Sequence, residues 1–242
     1  YNPTLAGIIV LGTNPSASST PKMTATGEVL TALRKRAPHI KTILGGIHPS
    51  ALPERTLREE DVDFVYRGEG FYTILQLLEA LKSGKVSGDY QIPGLWYRKN
   101  GDTLVNAHPP LGNFDELPFV AWDLMPMDKY RAHNWHCFDH IDQRQPYAAI
   151  YTSLGCPFNC SYCNIHALYN DKPSIRFRSP EKVVEEIDLL VKNYRIRNLK
   201  ILDELFAIRE EIQIEKERRD IFRYFGETNY TFLIEGWCLA KD

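Results

Sequence analysis

Short runs of consecutive apolar residues alternate along this chain with longer stretches of helical periodicity, and polar or glycine-rich junctions separate them. Leu5-Ala6-Gly7-Ile8-Ile9-Val10-Leu11 is a continuous apolar run ending in Gly12-Thr13-Asn14-Pro15, the profile of a buried strand entering a loop. From about Thr26 to Arg36 the residues Val29, Leu30 and Leu33 recur at helical spacing. Arg34, Lys35 and Arg36 sit where they favour the C-terminal end of the helix dipole, and Pro38 closes the element. Lys41-Thr42-Ile43-Leu44 predicts a second strand, terminated by Gly45-Gly46-Ile47-His48-Pro49-Ser50, where paired glycines let a ligand approach the backbone closely. Asp63-Phe64-Val65-Tyr66 predicts a third, ending at Arg67-Gly68-Glu69-Gly70. Ile74, Leu75, Leu77, Leu78 and Leu81 then mark an amphipathic helix that stops near Ser83-Gly84. This alternation predicts a parallel sheet whose strand-end loops, 12–16, 45–50 and 67–70, gather at the edge where such sheets bind ligands.

The texture changes from about 85 to 146. Ile92-Pro93-Gly94-Leu95-Trp96-Tyr97-Arg98 and Leu104-Val105 flank Asn100-Gly101-Asp102, a turn of the kind that joins antiparallel strands, and prolines then accumulate at 109, 110, 118 and 126. A connector with little regular structure is expected here. His133, His136, His140 and Cys137 cluster in it, but no recognised ligand spacing is completed, so they read as polar residues of an interdomain surface.

Beyond it, Ala148-Ala149-Ile150-Tyr151 is an apolar run. Ser179-Pro180-Glu181 supplies an N-cap, a proline at the first helical position and an acid in the first turn; Val183, Val184, Ile187, Leu190, Val191 and Tyr194 carry the helix to residue 194. Asn198-Leu199-Lys200-Ile201-Leu202 predicts a strand ending in Asp203-Glu204, the charged run 209–220 a solvated helix face, and Phe232-Leu233-Ile234 a strand near Glu235-Gly236. This half is again β/α.

Composition narrows the classes. At 242 residues with 43% hydrophobic content the chain can bury a sizeable core, and 29 basic against 31 acidic residues give a net charge of −2, which favours no nucleic-acid partner. No apolar run approaches the roughly 20 residues that cross a bilayer, and Tyr1-Asn2-Pro3-Thr4 lacks the order of a signal peptide; a cytoplasmic location is expected. Five cysteines, three of them clustered, suit a metal or cluster site in a reducing compartment better than a disulfide framework. Cys137 and Cys238 stand alone and read as buried structural thiols.

The cluster is Cys156-Pro157-Phe158-Asn159-Cys160-Ser161-Tyr162-Cys163, directly after the strand at 148–151. Thiolates at such spacing can turn toward one metal centre from a single loop. A structural zinc could recruit His166 to close a Cys3His set, and a plant-type ferredoxin cluster uses a similar triplet with one more residue in the first gap and a fourth cysteine. Neither accounts for the preceding strand and the following β/α run.

The spacing C-x3-C-x2-C, with Tyr162 before the third cysteine, resembles the signature of the radical S-adenosylmethionine (SAM) enzymes. The resemblance implies that Cys156, Cys160 and Cys163 hold three irons of a [4Fe-4S] cluster. The fourth iron is left for SAM, whose reductive cleavage gives a 5′-deoxyadenosyl radical. Thr152-Ser153-Leu154-Gly155 looks like the lead-in of the family, with Leu154 where many members have arginine. By the same resemblance Tyr162 lies at the SAM site, Asp203 and Glu204 match the acidic strand end that holds the SAM amino group or ribose, and Glu235 is a further candidate. For each acid the plain alternative is a solvated carboxylate at a strand end.

The first 84 residues look like the later part of a cobalamin-binding domain of the sort fused ahead of radical SAM barrels, carried by Ile8–Ser16, Gly45-Gly46-Ile47-His48-Pro49 and Gly68-Glu69-Gly70. The resemblance implies that Gly45 and Gly46 admit the nucleotide tail, with Thr13, Ser16 and Glu69 as further contacts. A Rossmann-like domain without corrinoid is the alternative. No D-x-H-x-x-G motif occurs, so His48 is not assigned to cobalt.

The expected fold is therefore α/β: a Rossmann-like cobalamin-binding domain, the later part only, over residues 1–84, a connector over 85–146, and the first part of a (β/α) radical SAM barrel over 147–242. The chain is expected to be the middle of a longer protein, since three barrel strands would leave an unpaired edge. The implied function is a cobalamin-dependent radical SAM methyltransferase acting on an unactivated carbon of a small organic substrate with an external one-electron reductant. A cyclase or rearranging enzyme built from the same parts, and a non-catalytic zinc or electron-transfer module, are the alternatives.

Overall fold

The computed structural model describes residues 3–11, 19–84, 89–133, 142 and 144–205, together with the backbone of 231–234. Thr13, Ser16, Cys137, Cys238, His136, His140, Glu235 and the charged run 209–220 lie outside the described residues. The chain divides into two compact units, Tyr1–Leu111 with Phe158–Pro173, and Gly112–Pro157 with Ser174–Asp242.

In the first unit the strands β1 (Leu5–Val10), β2 (Lys41–Gly46), β3 (Phe64–Tyr66), β4 (Leu95–Lys99) and β5 (Asp102–Val105) form one sheet in that spatial order. β1, β2 and β3 are parallel, with Ile43 opposite Phe64 and Leu44 opposite Val65. The expected parallel sheet is thus completed by an antiparallel hairpin: β4 pairs with β3, and β5 with β4. Asn100 and Gly101 turn that hairpin at φ 54° and 92°, the paired positive φ for which Asn-Gly is suited.

Residues of β2 and β3 alternate between two cores, because successive side chains of a strand point to opposite faces. Leu44 and Val65 join Leu30 of α1 (Met23–Arg36) and Leu57 of α3 (Pro53–Glu59). Ile43, Phe64 and Tyr66 join Leu77 of α4 (Phe71–Lys82) with Tyr90 and Tyr97. Tyr90 meets Phe64 and Tyr97 edge-on, at 5.4 and 5.3 Å between ring centroids. Both α3 and the short α2 (Ile47–Ala51) between β2 and β3 are additions to the predicted elements.

Asp63 binds the end of α1 to two strands. Its carboxylate accepts from the Thr42 amide and hydroxyl, each at 2.9 Å, and pairs with Arg34 and Lys41, each at 3.1 Å. Burial alone would raise this carboxyl, but the Thr42 and Lys41 contacts outweigh it and hold the group below its ordinary 3.8. The stabilisation is therefore complete above pH 3.8 and is lost as pH falls through the lower folded value. Asp63→Asn should cost about 2 kcal/mol at neutral pH, allowing for solvent at the cationic ends, and should flatten the acid limb of an unfolding titration.

The second unit contains an open sheet of β6 (Tyr147–Ile150), β9 (Asn198–Ile201) and β10 (Thr231–Ile234), all parallel, with β9 central. These strands do not close into a barrel among the described residues. α5 (Pro180–Tyr194) lays Val183, Ile187 and Leu190 on Ala148, Ile150, Leu199 and Ile201. Ser179 occupies the predicted cap position without a side-chain capping bond; its amide donates to Asp115 Oδ1 at 2.7 Å. Inside this core Glu186, 1% exposed, accepts from Trp122 Nε1 at 3.0 Å and from Arg178 at 2.6 Å. Arg178 in turn lies 4.3 Å over the Phe114 ring, so the buried charges are paired and the cation is sheathed by an aromatic face.

An additional ladder separates β6 from the cysteines. β7 (Ser153–Cys156) pairs antiparallel with β8 (Ser174–Phe177), and Cys156 stands opposite Ser174. The cysteine stretch therefore leaves β7 instead of the apolar strand at 148–151, and it forms part of the long connection between two paired strands.

Candidate functional site

The lead-in to the cysteines is set by backbone geometry. Gly155 has φ +98°, and a Cβ there would stand 2.2 Å from the Ser174 carbonyl oxygen, so only glycine lets β7 approach β8 at this point. Cys156 follows, half-buried, while Cys160 and Cys163 are exposed; none of the three is in a disulfide. The Cys163 amide donates to Cys160 O at 3.0 Å, closing a tight turn. Tyr162 is 90% exposed, and the negative charge and hydrogen bond of Cys160 push its phenol above the ordinary value.

Among the described residues no three His, Cys, Asp or Glu side chains are gathered round one point. Thiolates on a short loop repel one another, and it is the metal that draws such ligands together, so binding and local folding are one event. The donor set nevertheless fits an open-site cluster better than a closed zinc. The fourth ligand a zinc would need, His166, is buried in the 3-10 turn Ile165–Leu168 with its Nε2 2.6 Å from Phe158 O. A carbonyl only accepts, so Nε2 carries the proton, and the lone pair left on Nδ1 is buried whereas Cys160 and Cys163 are exposed.

Asp203, predicted at the SAM site, is 3% exposed and holds the lead-in. Oδ1 accepts from the amides of Thr152 and Ser153 at 2.7 and 3.0 Å, and Oδ2 from both hydroxyls, that of Ser153 at 2.7 Å. Thr152 O accepts from the Arg178 amide at 2.9 Å on the other side. Thr152 and Ser153, where the chain enters β7, are thereby fixed from two directions. Sequence inspection could find the acid at the strand end but not these partners, which lie 51 and 50 residues away.

Glu204 is exposed, yet partial desolvation, with the charge of Asp203 second, raises its carboxyl above the ordinary value. Tyr151, at the end of β6, is raised by burial first and by Glu204 and Asp203 after it. Tyr151, Asp203 and Glu204 thus form one electrostatic group at the carboxyl ends of β6 and β9. Tyr151 was not predicted; its position directly after an apolar strand was the available signal.

At the edge of the first sheet the glycine pair has intramolecular neighbours. A Cβ on Gly45 would fall 1.9 Å from the Tyr66 ring, and one on Gly46, at φ +107°, 2.1 Å from the Val10 carbonyl. Tyr66 is itself 3% exposed, and burial pushes its phenol up to about 12. Glu69 lines a shallow cleft with Gly70, Phe71, Thr73 and Pro109. His48 is buried in α2, its Nδ1 2.9 Å from the Thr20 hydroxyl. Gly45→Ala should destabilise the first unit by about 1–3 kcal/mol through overpacking, and Tyr66→Ala in the same chain should return part of that loss in a denaturant titration.

Comparison with known proteins gives these features a family. The B12 binding domain family matches residues 5–78 and the radical SAM superfamily residues 150–239. An uncharacterized methyltransferase of Pyrococcus horikoshii is 35% identical over 194 residues, covering 76% of this chain and 39% of that protein. The anaerobic magnesium-protoporphyrin IX monomethyl ester cyclase of Rubrivivax gelatinosus is 30% identical over 200 residues, covering 81% of this chain and 34% of the cyclase. The chain thus spans between a third and two fifths of the length of these curated relatives. Among solved structures, the radical SAM methyltransferase TsrM of Kitasatospora setae superposes with a TM-score of 0.64 at 22% identity, covering 94% of this chain and 42% of TsrM, a likeness of fold. The two domain families bring their cofactors with them, cobalamin for the first and a [4Fe-4S] cluster with SAM for the second. A B12-binding domain followed in one chain by a radical SAM domain with its three cysteines places this protein among the cobalamin-dependent radical SAM enzymes.

Proposed function

We propose that the protein is a methyltransferase that adds a methyl group to an unactivated carbon of a small organic substrate, in the cytoplasm, with electrons from an external one-electron donor. The observation that carries the reading is the cysteine loop. It brings three cysteines, none of them in a disulfide, into one short stretch, with His166 buried and hydrogen-bonded to Phe158 O, in a chain that also holds a B12-binding domain. The methyltransferase relative at 35% identity supports methyl transfer.

In this reading Cys156, Cys160 and Cys163 hold the cluster, and Asp203 keeps the lead-in rigid so that the first thiol is presented from a fixed strand end. Glu204, with its raised carboxyl, and Tyr162 contribute to the SAM site, as does Glu235. Gly45, Gly46, Glu69, Thr13 and Ser16 border the corrinoid site. Residues 1–84 and 147–242 serve as the two cofactor domains, with 85–146 between them. When bound, the cluster and SAM supply a 5′-deoxyadenosyl radical for hydrogen abstraction, and cobalamin a methyl group. The chain's own work is to bind these groups, hold them in register and keep water away from them.

The test is anaerobic turnover of the reconstituted protein with SAM, hydroxocobalamin, a chemical reductant and a small-molecule extract of the host cell. S-adenosylhomocysteine together with 5′-deoxyadenosine is expected. Deoxyadenosine alone would favour the reaction class of the cyclase relative. One tightly held zinc, or a reduced-cluster spin resonance signal unaltered by SAM, would overturn the radical SAM assignment.

A further inference from the structure

The distal limb of the cysteine loop, Phe158–Pro173, belongs to the same compact unit as the B12-binding sheet. Its turn Ile165–Leu168 packs on α2, the helix that begins directly after Gly46. Polar contacts add to this packing. Arg67, the first residue after β3, pairs its guanidinium with the Asp171 carboxylate, and His108 stands 3.9 Å from the same oxygen. Asn170 Nδ2 donates to Pro109 O at 3.1 Å. Arg67 is held at its backbone, where its amide donates to Gly94 O at 2.8 Å, and the next residue, Gly68, donates to Ser50 Oγ of α2 at 3.1 Å.

The limb is shaped to make this contact. Asn170 and Asp171 are consecutive residues in the left-handed region, at φ 58° and 57°, a conformation that Asn and Asp tolerate better than other residues with a side chain. The Asp171 amide donates back to His166 O at 2.9 Å, so the turn that presents the carboxylate is closed on the buried part of the limb. Around the pair, Arg67 Nε, Asn170 Oδ1 and His166 Nδ1 are buried without a partner. Buried donors and acceptors are usually satisfied, so orphaned atoms of both kinds along one short contact mark a place where a polar group of a ligand, or water, completes the set.

We propose that Arg67 and Asp171 form a latch between the two cofactor-binding loops. The segment that leaves the third cysteine is fixed to the strand-end loop that borders the corrinoid, so that occupancy of one site changes affinity at the other. This rests on the assignment of both cofactors made above. Such coupling is reciprocal: whatever factor the cluster contributes to corrinoid binding, the corrinoid contributes to the cluster.

The measurement is the Kd of hydroxocobalamin, by absorbance titration of the full chain, with the cluster reconstituted and without it. In the wild type the two values should differ by at least about fivefold. Asp171→Asn keeps the left-handed preference and removes the charge, and it should bring the ratio to within about twofold of one, as should Arg67→Ala. The double variant should show no further change, since the pair acts as a unit. An undiminished ratio in Asp171→Asn, at wild-type iron content and circular dichroism, overturns the latch. So does a wild-type ratio of one when both cofactors bind. Wild-type protein that takes up neither cofactor would instead overturn the functional reading, and the latch with it.

Discussion

Cys160→Ala is expected to abolish the reconstituted cluster and to lower SAM cleavage by more than about 100-fold, beyond the loss that removing an outer-shell partner of a metal ligand usually brings. Between Cys156 and Cys163 the sequence holds no other thiol or imidazole to substitute for this one, and His166 just beyond is buried with its ring hydrogen-bonded to Phe158 O. Two thiols would remain, too few to hold three irons. Corrinoid uptake at saturating hydroxocobalamin should persist, because Gly45 and Gly46 are in the sheet of β1 to β5. Iron and sulfide content, the spin resonance of the reduced protein with and without SAM, and an absorbance titration with hydroxocobalamin check the three parts separately. Loss of corrinoid stoichiometry together with the cluster would contradict the separation of the sites.

Asp203→Ala should be the most destabilising single change at the site, by about 3–5 kcal/mol, because it strands two buried amides and two hydroxyls at once. Asp203→Asn should cost only about 1–2 kcal/mol. Its amide oxygen can still accept from the Thr152 and Ser153 amides, and both hydroxyls can rotate to accept from the new NH2. If the carboxylate acts chiefly on bound SAM, the order would change: the two variants would unfold alike and lose SAM affinity alike. Denaturant unfolding and SAM binding on the same three proteins distinguish the cases.

What could be read in the sequence followed the range of the interaction that fixes it. α1, α4 and α5 were legible because their apolar stripes recur at helical spacing within one window, and the β4–β5 hairpin because Asn100-Gly101 writes its turn locally. α2 and α3 were not, since Pro49 and Pro53 punctuate a stretch that starts on a glycine pair. The β7–β8 ladder escaped because each strand has four residues and the partner of Cys156 is Ser174, across the whole cysteine loop. The same limit applied at the site. Three cysteines declare themselves by spacing, whereas Asp203 shows only that it is acidic and ends a strand. Gly45 was legible as a glycine, but Tyr66, whose ring occupies the space of its missing Cβ, stands far down the chain.

The Trp122–Glu186–Arg178 contact bears on how the molecule could be dissected. Cutting the chain just before Tyr147, where the apolar strand starts, would yield a piece that keeps Glu186 and Arg178 but discards Trp122 and the Phe114 ring that covers the guanidinium. Such a piece would carry an ion pair exposed on one side and a cavity where an indole had been. Starting at Gly112 would keep that contact but would part Phe158–Pro173, with Cys160 and Cys163, from the first unit to which it belongs, so cluster reconstitution calls for the whole chain.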